Sequence, residues 1–352
     1  MEFKEELKKI IQIVVAEGAS DIHLSEGRSA TIRTSGLLVP ISRSPVLTKE
    51  NLNQIIFMIL SPDKREEFLK EKEIDFAYEF EDVRFRGNAY FQKGVISIAL
   101  RVINEDIKTL EELKLPPILE IFAKKKQGFF LVVGPTGHGK STTLSSLIEM
   151  INQNRQEHIV TIEDPIEFLY KQEQSIIDQR EVGFDTHGFA RALKSAFRQD
   201  IDVLLIGEMR GSETIEAAIT AAETGHLVFS TLHTNNASQT IDRIIDAFPA
   251  AQQKQIRSQL SNSLTGIFSQ RLIPSIGGGR VPAYELLINT NAVSNLIREG
   301  RIHEIDSVIE TSSGEGMISM NRSLAELVRS GDITVEDAYK YTPRSNSLER
   351  ML

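Results

Sequence analysis

Apolar residues change their spacing along the chain, and the changes predict its elements. In residues 3–17, Phe3, Leu7, Ile10, Ile11 and Val14 recur at helical spacing, and Gly18 ends the run. Short strand-like pieces follow at 21–24, 30–34 and 37–41. Thr48 reads as the N-cap of a helix running through Leu60, and a further helix covers Pro62 to Glu71. Strands are then expected near 73–80, 83–91 and 94–103. The middle one alternates: Val83, Phe85, Ala89 and Phe91 fall on one face, with Arg84, Arg86 and Asn88 on the other. In the next strand Arg101 lies opposite Ile98, Leu100 and Val102. An arginine-studded sheet face is either solvated or an anion-contact surface, and the pattern leaves both open.

Residues 104–117 are polar, end in Pro116-Pro117 and read as a linker between a domain of residues 1–103 and one of residues 118–352. Past it, strands and helices alternate: strand 128–133, helix 140–151, strand 158–163, helix 187–197, strand 202–206, helix 212–223, strand 226–231 and helix 237–246. That alternation predicts an α/β fold with a parallel sheet, helices on its faces and ligand at the carboxyl ends of the strands. Beyond 249 the chain turns helical, interrupted where Gly277-Gly278-Gly279 reads as a hairpin turn between 269–276 and 281–289. Helices are expected near 291–299, 302–309, 321–329 and 334–340, and the polar last ten residues are expected to fray.

The stretch Phe129 to Val133 reads as a buried strand, cut off by Gly134-Pro135. Thr136, Gly137, His138, Gly139, Lys140 and Ser141 then complete the spacing G-x-x-x-x-G-K-[ST], and a helix continues from Thr142. Strand, glycine loop and helix are the context of a phosphate-binding P-loop. Its glycines let backbone N–H groups turn towards phosphate oxygens, and the helix N-terminus adds partial positive charge. Lys140 is placed to reach the β- and γ-phosphates of ATP, and Ser141 to hold Mg²⁺. A chance match inside a glycine loop is the bland alternative.

Two more expected strands end in acids. The strand from His158 runs into Glu163-Asp164-Pro165, and Val203–Ile206 runs into Gly207-Glu208. If both lie beside the P-loop strand, one carboxylate can organise Mg²⁺ and its waters while the other orients and deprotonates the attacking water. Glu163 is the expected base and Glu208 the organiser. The alternative is a helix cap or an arginine partner for either. Strand Leu227–Thr231 leads to His233, a candidate γ-phosphate sensor or a structural histidine.

Composition narrows the function class. The chain has 352 residues, 41% of them hydrophobic, enough for more than one domain with a core. The net charge of −9 argues against nucleic acid as the main partner. No cysteine is present, which removes disulfides and cysteine-type zinc sites, and the seven histidines show no metal-ligand spacing. The start is charged, without a signal-peptide core, and no apolar run is long enough to span a bilayer. The expectation is a cytoplasmic protein that inserts into no membrane and reaches one only through a partner.

With these residues assembled, the chain resembles the secretion ATPases of type II secretion and type IV pilus systems over about residues 1–340. Gly134–Ser141 looks like their Walker A loop, Thr161–Phe168 like their Asp box, Asp202–Arg210 like their Walker B segment, and Thr220–Asn235 like their His box. Ala19–Leu24 also has the family's look. The short chain, the missing four-cysteine insertion and Ala292–Glu299 point to the retraction branch of the family. Ser294 replaces an arginine of that last motif. His138 stands where the loop usually has serine, in a position expected to face outward and tolerate the change. Ile201 replaces a proline, and Gly211 an aspartate.

The resemblance implies a PAS-like α+β N-terminal domain, a RecA-like ATPase domain with a helical C-terminal part, and nucleotide between the two. It implies that Arg84, Arg86 and Arg101 reach the phosphates, and it adds Arg198, Arg210 and Thr142 to the nucleotide contacts. It also implies a homohexameric motor that drives pilus retraction through an inner-membrane platform protein, with the pilus-assembly ATPase as a further partner. The rivals are an assembly or type II secretion ATPase of the same fold, and a P-loop switch that hydrolyses too slowly to do work.

Overall fold

The computed structural model describes every residue except Met1, Ser35, Arg43, Glu81, Asp82, Asn104 and Glu105, and the side chains of Glu2, Phe3 and Lys4. Phe3, expected on the buried face of the first helix, therefore lies outside the described side chains. The chain divides into two units, Met1–Glu105 and Asp106–Leu352.

The first unit contains α1 (Glu2–Ala16), β1 (Asp21–Leu24), β2 (Thr31–Thr34), β3 (Leu37–Pro40), α2 (Lys49–Ile59), α3 (Pro62–Glu71), β4 (Glu73–Phe80), β5 (Val83–Gln92) and β6 (Val95–Val102). Its strands form an antiparallel sheet in the order β3-β2-β1-β6-β5-β4. Leu7, Ile10, Ile11 and Val14 of α1 join Phe85, Ala89, Ile98 and Leu100 in one core. Thr48 caps α2 with a reciprocal box, accepting from the Asn51 N–H while its own N–H donates to Asn51 Oδ1 at 2.8 Å. Gly87 is required by packing, because a Cβ there would lie 2.2 Å from the Phe76 ring.

The polar sheet face carries a cross-strand row. Arg33 stands opposite Asp21, Asp21 opposite Arg101, and Arg101 opposite Arg86. Arg101 Nε lies 2.8 Å from Asp21 Oδ1. Arg84 stands opposite Glu79.

The second unit opens with residues 106–117, expected as part of a linker. Leu110 and Leu115 are buried there with Phe122 and Phe130, so this stretch packs as part of the unit's core. Then come α4 (Glu120–Ala123), β7 (Gly128–Val133), α5 (Lys140–Asn154), β8 (His158–Glu163), β9 (Ile176–Glu181), α6 (Phe189–Ala196), β10 (Val203–Ile206), α7 (Ser212–Glu223), β11 (Leu227–Leu232) and α8 (Ala237–Asp246). They are followed by α9 (Ala250–Ser263), β12 (Leu264–Pro274), β13 (Arg280–Ile288), α10 (Asn291–Glu299), α11 (Ile305–Thr311), α12 (Met320–Arg329), α13 (Val335–Tyr341) and α14 (Ser345–Glu349).

The sheet order is β13-β12-β7-β11-β10-β8-β9, and every pair except β12–β13 is parallel. The strands β7, β10 and β11 are buried along their whole length, which is why β7 and β10 read as unbroken apolar runs and β11 departs from one only at Ser230 and Thr231. The α/β class expected from the sequence is the one observed. Strand β9 and helix α4 were not foreseen. β9 is an edge strand whose polar half, Asp178–Glu181, carries no apolar period.

The expectation of a frayed end is corrected. Leu348 of α14 is fully buried beside Met320 and Leu324, and Met351 packs against the same cluster. One buried leucine anchors the otherwise polar tail. Among the described residues no helix is long and apolar enough to cross a membrane.

Truncating that anchor tests the packing. Leu348→Ala should cost about 2–4 kcal/mol in the stability of the second unit, read as an earlier urea midpoint by circular dichroism. A variant with the wild-type midpoint would mean that the tail is not held by this contact.

Candidate active site

The loop after β7 is shaped by glycines in conformations that other residues avoid. Gly134 has φ 143° and Gly139 φ 83°. Space also excludes a side chain at Gly134, where an added Cβ would lie 2.3 Å from the Gln270 carbonyl oxygen, while at Gly139 it would crowd Gln270 Nε2 at 2.9 Å. The Thr143 hydroxyl donates to Gln270 Oε1 at 2.6 Å, so Gln270 braces both the loop and the helix that follows. No side chain caps the N-terminus of α5. Its first N–H groups are left for an anion, as a phosphate cradle requires.

Lys140 crosses the loop. Its Nζ donates to the Pro135 carbonyl at 2.9 Å and approaches His233 Nδ1 at 3.5 Å. Desolvation holds the ammonium below the usual lysine range, while Glu167 and Glu208 act in the opposite sense. His233 Nδ1 also lies 3.3 Å from Thr136 Oγ1. Because the ammonium can only donate, Nδ1 is the acceptor, which puts the ring proton on Nε2. That nitrogen is 3.6 Å from Glu208 Oε2.

The acids and the histidine meet here through sheet order. In β7-β11-β10-β8, Val133 is level with Leu232, and Ile206 with Ser230 and Ile162. Parallel strands in register deliver the residues after their carboxyl ends to one rim. Neither acid-bearing strand adjoins β7 directly, as the sequence reading supposed; β11 lies between.

Glu163 is only 8% exposed. Thr161 donates to its Oε1 at 2.7 Å. Burial pushes its carboxyl up to about 7, and that hydrogen bond and the others it receives offset only part of the effect. Glu208 has different surroundings, since its Oε1 is paired with Arg210.

A cavity of about 420 Å³ opens on this rim, lined among others by Lys140, Ser141, Glu163, Glu208, Arg210 and His233. Thr136, Gly137, Gly139 and Thr142 line it too, while Gly134, Pro135 and His138 complete the loop outside the lining. Arg198, exposed beyond the end of α6, does not line it. Arg84, Arg86 and Arg101 belong to the first unit.

Sequence reasoning missed Gln270 and Arg280. Arg280 lines the cavity and donates to the Gly137 carbonyl at 3.3 Å. The signal for Gln270 was a polar Gln-Arg pair inside a strand that is otherwise largely apolar. Among the described residues no group of three or more histidines and acids could hold a metal on its own. The donor set of one hydroxyl and one carboxylate suits Mg²⁺, which takes few protein ligands and completes its octahedron with phosphate oxygens and water.

The chain is similar to known proteins along most of its length. The sequence profile of the type II/IV secretion system protein family matches residues 2–339. The type IV pilus retraction ATPase PilT of Pseudomonas aeruginosa is 43% identical over 334 residues, covering 95% of this chain and 97% of its own length. A twitching motility protein of Neisseria gonorrhoeae is 46% identical over 306 residues, or 86% of this chain and 82% of its own. A crystal structure of the pilus retraction motor PilT with bound ADP superimposes with a TM-score of 0.91 at 44% identity, covering 97% of this chain and 98% of that one.

The raised Glu163 carboxyl carries a stability signature. Between its ordinary value of 4.5 and about 7 the folded chain keeps a proton that the unfolded chain has lost. Its contribution to stability therefore falls as pH rises through that window. Glu163→Gln removes the effect. The variant should melt above wild type at pH 8, with the gap closing towards pH 4.5. A melting difference that does not change with pH would contradict the burial of an ionisable carboxyl here.

Proposed function

Because the chain belongs to the type II/IV secretion system protein family, we propose that it is an ATPase whose hydrolysis cycle powers type IV pilus retraction. The observation that carries this reading is the convergence of a glycine phosphate loop, Lys140, Glu163, Glu208 and His233 on one cavity. Retraction comes from the relatives: the pilus retraction ATPase and the twitching motility protein are matched over most of both chains.

In this reading the N–H groups of Gly134–Ser141 and the first turn of α5 hold the phosphates of ATP. Lys140 exchanges the Pro135 carbonyl for the β- and γ-phosphate oxygens. Mg²⁺, held by Ser141 and, with its waters, by Glu208, would neutralise charge on those oxygens. Glu163 takes the proton of the attacking water. Its carboxyl titrates near 7, where it is partly ionised and partly protonated at working pH, the condition for efficient general base catalysis. Glu208 is ion-paired with Arg210 and keeps the role of organising the metal and its waters. His233 accepts from Lys140 and faces Glu208, so a γ-phosphate that draws Lys140 away alters what the histidine holds.

Arg86 and Arg101, with Arg84 beside them, form a cationic row whose role in this reading is to stabilise negative charge that grows on a γ-phosphate in the transition state. Their register supports this. Arg86 faces Arg101 directly, Asp21 compensates only one of them, and Arg86 has no ion-pair partner among the described residues. Like charges so placed favour an anion. The functional protein is a homohexameric ring at the cytoplasmic face of the inner membrane. It comprises a PAS-like N-terminal domain and a RecA-like domain into whose core residues 106–117 pack, and acts on the pilus platform protein alongside the assembly ATPase.

Purified wild type should hydrolyse ATP, Lys140→Ala should not, and Glu163→Gln and Glu208→Gln should bind nucleotide but turn over roughly 10²-fold more slowly. Deletion of the gene should leave cells piliated but unable to twitch. Loss of pili would turn the reading to assembly, and normal turnover in both glutamine variants would make the acids structural.

A further inference from the structure

We propose that His138 is a positioning residue whose imidazole clamps the phosphate loop to β12, holding the loop in its nucleotide-gripping shape. The proposal rests on the reading of Gly134–Ser141 as the ATP loop.

Strand β7 ends at Val133, opposite Ser269, so Gln270–Pro274 of β12 have no strand beside them on that edge. The loop fills the gap. The Gln270 carbonyl packs against Gly134, and Leu272 N–H donates to His138 Nδ1 at 2.9 Å. Arg280, at the start of β13, holds the Gly137 carbonyl one residue earlier. Residues of the loop thus take the place that a neighbouring strand would occupy, and His138 supplies the acceptor.

The imidazole is set up for that role. To accept, Nδ1 must be unprotonated. Burial, with Arg271, Arg280 and Lys140 nearby, holds the ring below the usual imidazole range and therefore neutral. Tyr341 lies edge-on to it, with centroids 6.5 Å apart and planes at 68°. Arg271 Nη1 in turn holds the Tyr341 carbonyl at 2.9 Å. The side chain expected from the sequence to face outward is instead held on two sides.

A serine, usual at this position in the related proteins, ends one bond short of Nδ1. It could not take the Leu272 N–H without a shift of the loop. Asparagine could, because its Oδ1 stands the same number of bonds from the backbone. The loop grips phosphates alike in ATP and ADP, so loosening it weakens binding more than chemistry.

Steady-state ATPase kinetics and ADP titration of His138→Leu, His138→Ser and His138→Asn test this. His138→Leu and His138→Ser should each raise KM for ATP and Kd for ADP roughly tenfold, the scale of one unmade hydrogen bond, with a much smaller change in kcat. His138→Asn should recover most of the affinity. If the leucine variant does not fold, serine against asparagine carries the same comparison. Wild-type KM in the leucine or serine variant, or an asparagine variant as weak as the others, would overturn the clamp. An inactive wild type, or full turnover in Lys140→Ala, would instead overturn the nucleotide site itself.

Discussion

Glu163 ends a parallel strand inside the sheet, where it is only slightly exposed and, among the described residues, forms no ion pair. Ionising a carboxyl in such a place costs several kcal/mol, and the carboxyl responds by holding its proton to about pH 7. The residues beside it are arranged by the same constraint. Strands buried on both faces carry mostly apolar side chains, so β7 and β10 are apolar throughout, the few polar residues inside β8 and β11 are small hydroxyls, and the charged groups stand at or just past the strand ends. The rim is where those ends meet, and it is the one edge at which Glu163, Glu208, His233 and the glycine loop can share a space.

The second support comes from behind. β12 outruns β7 by several residues, and the free edge it leaves is occupied by the phosphate loop. Gln270 presses on Gly134, reaches Gly139 and holds Thr143. The β12–β13 hairpin is in turn covered by α12 and α13 and by the anchored tail, with Leu348 in the same cluster as Ile273 and Val281. The shape of the loop thus depends on packing that extends to the last residues of the chain.

Much of this was legible in the sequence. The alternation of buried strand and helix between 128 and 246 announced the parallel sheet, because strands buried on both faces must read as apolar runs. The spacing Gly134 to Ser141 announced the loop, and acids after two such runs announced the carboxylates that line the cavity. Other features were not legible for physical reasons. β9 borders solvent and needs no apolar period. Gln270 and Arg280 act across the sheet, far from the loop in sequence. The surroundings of His138 are made by β12 and Tyr341, which no local pattern around residue 138 contains. The alternating Arg84 and Arg86 showed which face they occupy, while Asp21, which compensates Arg101, is distant in sequence.

The account turns on Glu163 as a base that titrates near neutrality. The direct measurement is the pH dependence of kcat at saturating ATP, for wild type and for Glu163→Gln. Wild type should show a limb that rises with pH and has an apparent pKa of about 7, and the slow residual turnover of the variant should lack it. A wild-type profile flat from pH 5.5 to 9, or a limb that survives in Glu163→Gln, would contradict the assignment of Glu163 as the base.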